Sequence, residues 1–136
     1  MSGPLTGLQD LLRTLSPTWN PGVYVFVSVP EGVVADASRA IASIREPEGL
    51  SLVLAETDAA AQGLVVQFRA AWLTLTVHSA LEAVGLTAAF ASALAEAGIG
   101  CNVVAGSFHD HLFVPYERAA EAMAVLADIQ QQANDR

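Results

Sequence analysis

The sequence predicts an α+β fold in which an antiparallel sheet carries its helices on one face. Residues 72–129 change hydrophobic period from block to block, in the order strand, helix, strand, strand, helix. Residues 22–70 read as a degenerate copy of that order. Apolar residues make up 53% of the 136 positions, which is enough to build a core. The pattern corresponds to the ferredoxin-like plan βαββαβ without its closing strand.

The chain begins with a predicted helix over residues 5–15. Its leucines recur at helical spacing, at Leu8, Leu11, Leu12 and Leu15. Pro17 and Pro21 follow and end the helix, because proline removes a backbone donor. We therefore expect residues 1–21 to form an N-terminal helix and lid.

The first unit, residues 22–70, is predicted to contain mainly short strands. A β-branched and aromatic run bounded by Gly22 and Pro30 predicts a strand over residues 23–29. A weaker helical pattern follows over residues 36–44. The remaining predicted elements are a strand over residues 50–54, a short helix over residues 56–62 and a strand over residues 64–68.

The second unit, residues 71–136, has the stronger patterns. Its predicted elements are a strand over residues 72–78, a helix ending at Gly98, strands over residues 101–105 and 111–114, and a helix after Pro115. The strand, helix, strand order predicts a parallel unit, to which the hairpin adds an antiparallel neighbour. The tail after Ile129 is polar and offers no closing strand, so a strand from the other half could complete this sheet.

Charge and composition argue against several function classes. The chain has 14 acidic residues, six arginines and no lysine, giving a net charge of −8. Nucleic acid is therefore a poor partner, and a Walker A loop or a Schiff-base lysine is excluded. No apolar run approaches the roughly 18 residues of a membrane span. The first residues lack a secretory pattern, so we expect a cytoplasmic protein.

A turn that opens the helix of the second unit is the first candidate site. Gly85 allows close approach of the backbone to a ligand, and the N–H groups of Leu86 and Thr87 favour a carboxylate. The alternative is that Gly85 only permits a turn and Thr87 caps the helix. The single Cys101 is expected to be a buried, inert thiol.

Two histidines form the second candidate site. Alternation places His109 and His111 on one strand face and Asp110 on the other. With His78 as a third ligand they could hold a metal, whereas the alternative is a polar patch on an open or dimer-facing sheet. Adjacent His78 and Ser79 point to opposite faces of a regular strand, which argues against a Ser/His/Asp triad.

Four stretches of the second unit carry a resemblance to a known family. They are WLTLTVHS at residues 72–79, VGLTA at 84–88, GIGCNVVAG at 98–106 and HDHLFVP at 109–115. Together they resemble a family of small bacterial proteins with two tandem ACT-like domains, mostly of unassigned function. The stretch REPEGLSLVL at residues 45–54 is similar to that family's first half. The resemblance implies ferredoxin-like tandem units that bind a free amino acid, often across an interface between two units.

Carried over by position, the resemblance implies a specific set of binding residues. Val84, Gly85, Leu86 and Thr87 would hold the ligand carboxylate, and Cys101, Asn102 and Val103 would line the pocket. The leading prediction is a non-enzymatic amino acid sensor that forms a homodimer and uses no cofactor or metal.

Two other function classes remain open. One is an interaction module that docks a protein on a sheet face containing Trp72, Thr74 and Phe113. The other is a metal-dependent enzyme that uses His109 and His111.

Overall fold

The computed structural model describes residues 7–76 and 85–135. In chain order its elements are α1 (Leu8–Arg13), β1 (Pro17–Trp19), β2 (Tyr24–Pro30), β3 (Ala42–Glu46), β4 (Gly49–Ala55), α2 (Glu56–Ala61), β5 (Val66–Leu75), α3 (Leu86–Glu96), β6 (Asn102–Ala105), β7 (Asp110–Pro115), a 3-10 turn (Tyr116–Arg118) and α4 (Ala119–Asn134). The predicted α+β fold is confirmed. No helix within the described ranges is long and apolar enough to cross a membrane.

All seven strands form one sheet. Its strand order is β3-β4-β2-β5-β7-β6, and β1 pairs with β5 off this path. The pairings are antiparallel throughout. Because β5 and β6 both run antiparallel to β7, they are parallel to each other with β7 between them. The predicted strand, helix, strand unit is therefore present, with β7 inserted between its two parallel strands.

The long strand β5 joins the two halves of the chain. Residues 66–70 pair with β2, and residues 73–75 pair with β1 on the same edge. On the other edge residues 70–75 pair with β7. The prediction of two separate strands, with a connector at residues 69–71, is wrong. Ala70 and Ala71 are fully buried on opposite faces of the sheet. Their small side chains fit crowded positions within a continuous strand and do not indicate a linker.

The second half obtains its closing strand from the N-terminus. In β1, Trp19 lies opposite Leu73, so the order β1-β5-β7-β6 is that of a complete ferredoxin-like sheet. Asn20 holds the end of β1 in place. Its backbone N–H donates to the Trp72 carbonyl at 2.9 Å, and its side-chain amide donates to the Thr74 hydroxyl at 2.8 Å. The completing strand therefore comes from residues 1–21, the predicted N-terminal helix and lid, and not from the first unit, residues 22–70.

The helices cover one face of the sheet, the helix face. Over the second half the buried side chains are Leu73, Leu75, Leu112 and Val114 from the strands, with Leu11, Leu15, Phe90, Leu94 and Leu126 from the helical layer. Over the first half they are Val25, Val27, Val29, Leu52 and Leu54, covered in part by Ala59 of α2. The period-two strand patterns and helical stripes of the sequence therefore meet on this face.

The helix predicted over residues 36–44 is wrong. The Asp36 carboxylate accepts a hydrogen bond from the Ser38 N–H at 2.9 Å, forming a local turn. The Gln62 side chain bonds to both the N–H and the carbonyl of Asp36, at 2.7 and 3.0 Å. Ala37 and Ala40 still pack against the helix-face core. These apolar side chains therefore contribute to the core although the segment is not helical. Residues from Ala42 onward form β3 instead.

Candidate functional site

The predicted carboxylate site is the N-terminus of α3. Gly85 has φ +96°, a left-handed conformation that glycine adopts without steric cost, and it precedes the first helical residue. No side-chain hydrogen bond caps this end in the described part of the chain. Leu86 is buried, with 4% exposure, whereas Thr87 is exposed. Val84 lies outside the described residues.

The residues predicted to line the pocket begin β6. The side chains of Cys101 and Val103 are partly buried against the helix-face core. Asn102 lies opposite Phe113 on the other face and is exposed. Burial raises the pKa of the Cys101 thiol to about 11, which keeps it protonated and inert at neutral pH.

Within one chain, the residues predicted to bind the carboxylate lie far from those predicted to line the pocket. Gly85 and Thr87 are at the start of α3, while Cys101 follows the turn after its C-terminus. A helix of 11 residues is about 16 Å long at 1.5 Å per residue. The predicted helix that ends at Gly98 already implies this separation, which the binding residues carried over from the family do not reflect.

The face opposite the helices, the helix-free face, is rich in aromatic side chains. The Phe26 ring meets the Phe113 ring edge-on at 5.5 Å and the Phe68 ring at 5.4 Å. The Trp72 ring stacks on that of Phe113 at 6.4 Å. Trp72, Thr74 and Phe113 share this face as predicted, but Phe113 is fully buried and not exposed. Neighbouring aromatic rings cover it in place of a helix.

A cavity of about 190 Å³ opens on the helix-free face. It is lined by Ile41, Ala42, Trp72, Val104, His111 and Phe113. Ala42 and Val104 belong to the first and last strands of the order, so the sheet curves and this face is concave. Alternation along β6 could have located Val104, but the incorrect helix prediction concealed Ile41 and Ala42.

His109 and His111 lie on the helix-free face, as the alternation predicted, with their ring centres 6.2 Å apart. The Trp72 indole N–H donates to Nδ1 of His111 at 3.1 Å, which places the proton of a neutral His111 on Nε2. Burial, and secondarily the charge of His109, lowers the pKa of His111, so the ring is neutral at pH 7. Within the described residues no three potential ligands are grouped as a metal site would require. His78 and Ser79 lie outside them.

Comparison with known proteins identifies the family. Residues 4–71 match an ACT domain, and residues 67–128 match a second ACT domain. The chain belongs to the ACT-domain family. The two ACT matches overlap at residues 67–71, within the strand β5 that both halves share. No curated protein matches the chain.

Solved structures share the tandem ACT architecture. A Vibrio cholerae protein of unknown function, described as a possible transport protein, is 48% identical with a TM-score of 0.80, and the match covers 90% of this chain and 95% of that one. An Agrobacterium tumefaciens protein is 21% identical with a TM-score of 0.67, covering 85% and 89%. The regulatory subunit of aspartate kinase from Thermus flavus is 11% identical with a TM-score of 0.59, covering 85% and 98%. The last two similarities concern the fold alone.

Proposed function

We propose that this protein is a non-enzymatic, cytoplasmic regulatory protein that binds a free amino acid. The observation that carries the proposal is the pair of ACT domains in tandem, because ACT domains typically bind amino acids in regulation. Regulatory subunits of aspartate kinase have the same architecture, which agrees with such a role. The ligand is an effector in this proposal, and no chemical step is assigned to the chain.

The ligand carboxylate would bind at the start of α3. The backbone N–H groups of Leu86 and Thr87 point out of the first helical turn, where the helix dipole favours a negative charge. The exposed Thr87 hydroxyl can donate a further hydrogen bond. The chain has a net charge of −8, so its overall field repels anions. The local N–H and hydroxyl donors supply the positive potential that a carboxylate needs.

The ligand amine would be held by β6 of a second copy. Carbonyl oxygens around Cys101 and Val103, or the Asn102 side chain, are suitable acceptors for an ammonium group. Because α3 separates these residues from Thr87 by its full length within one chain, a site that uses both requires a homodimer. A ligand that bridges two copies stabilises the dimer by its differential affinity for the assembled state.

Thermal unfolding in the presence of each of the common amino acids tests the proposal. A ligand at about 100 times its dissociation constant adds roughly 2.7 kcal/mol to the free energy of unfolding.

Thr87→Val should weaken the affinity for that ligand about tenfold, since it removes one hydrogen bond to a charged group. Ser92→Ala changes an exposed hydroxyl about one and a half turns further along α3 and should leave binding unchanged. Absence of a shift with every amino acid would reject amino acid binding.

A further inference from the structure

We propose that the cavity on the helix-free face receives the Phe108 side chain of a second copy, and that each copy inserts its Phe108 into the other. This deepens the homodimer of the proposed function by naming one of its contacts. The cavity and the exposed ring are separate observations in the described part of the chain.

The cavity suits a phenyl ring in size and chemistry. Its volume is about 190 Å³, and a protein cavity of roughly 150 Å³ lined by apolar side chains can hold benzene. Trp72 offers a ring surface, and Ile41, Ala42 and Val104 offer aliphatic ones, while the fully buried Phe113 lies beneath them. Offset or edge-on stacking on Trp72 would favour an aromatic occupant over an aliphatic one.

Phe108 is the most exposed aromatic side chain among residues 7–76 and 85–135. It is 81% exposed, at the tip of the hairpin between β6 and β7. The hairpin turn closes without it, because the Gly106 N–H donates to the His109 carbonyl at 2.8 Å. Burial of a large aromatic ring is favourable, and a partner that covers Phe108 would supply it.

The positions of Phe108 and the cavity suit a two-fold interface. Phe108 precedes the cavity residue His111 by three positions, so the two lie at most about 10 Å apart along the hairpin. A symmetric dimer brings equivalent regions of both copies together, so a ring at the tip of this hairpin and a cavity beside the hairpin can exchange reciprocally. Both contacts then form around a single axis.

Charge also favours a second copy at this surface. Two copies that each carry a charge of −8 repel each other over most of their surfaces. None of the six residues that line the cavity is an acid, arginine or lysine. The indole N–H donated to Nδ1 of His111 is consistent with a neutral imidazole there. The lining of the cavity therefore carries no charge that would repel a second acidic copy.

Sedimentation equilibrium over a concentration series tests the contact. Phe108→Ser should weaken dimerisation roughly 100-fold or more, because two rings per dimer lose their burial. Val65→Ser is the matched control, since Val65 is 77% exposed on another loop, and it should leave the dimer unchanged. Both variants should keep the wild-type circular dichroism and melting temperature of the dilute monomer.

A complementation experiment separates this contact from general surface stickiness. Val104→Phe fills the cavity from within and should also give a monomer. Mixing it with Phe108→Ser should restore a heterodimer, since one intact ring then faces one intact cavity. Dimers that persist in Phe108→Ser, or a mixture that stays monomeric, would overturn the proposal.

Amino acid binding is tested independently of this contact. A wild-type chain that remains monomeric at all concentrations overturns both the contact and the homodimer. If the dimer is present and Phe108→Ser leaves it intact, only the contact fails. If Phe108→Ser dissociates the dimer and no amino acid shifts the melting temperature of the wild type, the contact stands and the sensor function fails.

Discussion

Asp110 and His111 are neighbours in β7, yet their side chains lie on opposite faces of the sheet. Burial is the main cause of both pKa shifts, and it favours the neutral form in each case. It raises the pKa of the Asp110 carboxyl, against a smaller opposing effect of His111. It lowers the pKa of the His111 imidazole, and the charge of His109 lowers it further. Alternation in the sequence predicts the two faces, but the degree of burial depends on β5 and β6.

Asp110→Asn should stabilise the protein at neutral pH. A carboxyl with a raised pKa contributes stability below its ordinary value of about 3.9, and this contribution is lost as the pH rises through the folded-state pKa. At pH 7 the ionised carboxylate is therefore unfavourable. Since Asp110 is only half-buried, we expect a gain of less than about 1 kcal/mol.

Urea unfolding at pH 7 and pH 3 measures the effect of Asp110→Asn. The gain in the free energy of unfolding should be present at pH 7 and shrink at pH 3. Glu31→Gln, a carboxylate removed from an exposed turn, serves as the control. An equal effect of Asp110→Asn at both pH values would contradict the assignment to ionisation.

At the scale of elements, the β3–β4 hairpin depends on one glycine. Gly49 starts β4 between Glu46 of β3 and Pro30 of β2, with φ +147°. A Cβ atom at this position would overlap the Val29 carbonyl oxygen and lie 3.1 Å from the Glu31 nitrogen. Both neighbours are backbone atoms, so they cannot move aside as a flexible side chain would.

Gly49→Ala should therefore destabilise the protein by more than about 2 kcal/mol, from backbone overlap added to conformational strain. Gly32→Ala is the matched control, because Gly32 also has a positive φ, +87°, but nothing within 4 Å of its Cβ position. That change should cost only about 1–2 kcal/mol. Urea midpoints compare the two, and similar losses would show that crowding at Gly49 is unimportant.

At the scale of the whole molecule, the two halves share a strand and a buried cluster. β5 pairs with β2 from the first half and with β7 from the second. On the helix-free face, Val53 and Phe26 of the first half pack with Phe113 of the second. The helix-face clusters of the two halves are separate, so the shared strand and this shared cluster couple them, and we expect the two halves to unfold together.

Calorimetry of Phe113→Leu tests this coupling. The substitution should cost about 1–2 kcal/mol, since it removes a buried ring but retains an apolar side chain. The protein should still unfold in one transition, with the calorimetric enthalpy equal to the van't Hoff enthalpy. Phe108→Leu, at an exposed ring, should leave the melting temperature of the dilute monomer unchanged. Two resolved transitions would show that the halves fold independently.

The sequence alone determined the local elements where one period dominates. The stripe through Phe90 and Leu94 specified α3, and alternation through His111 and Phe113 assigned the faces of β7. These features could be predicted because the side-chain period of a helix or strand appears directly as the spacing of apolar residues in the sequence. The resemblance in residues 72–115 also predicted the ACT family. The binding roles of Val84 through Thr87, and of Cys101 through Val103, remain predictions, as do the unit boundaries at residues 21 and 70.

Tertiary structure alone decided which segments pair and what they enclose. β1 completes the second sheet from the opposite end of the chain, and Gln62 holds Asp36 out of a helix across 26 positions. The concave face brings Ala42 and Val104 to one cavity. Such arrangements depend on contacts between distant residues, whose energies have no signature in the local period. That is why the sequence predicted most elements of the second half but neither β1 nor β3, nor the surfaces that the strands form together.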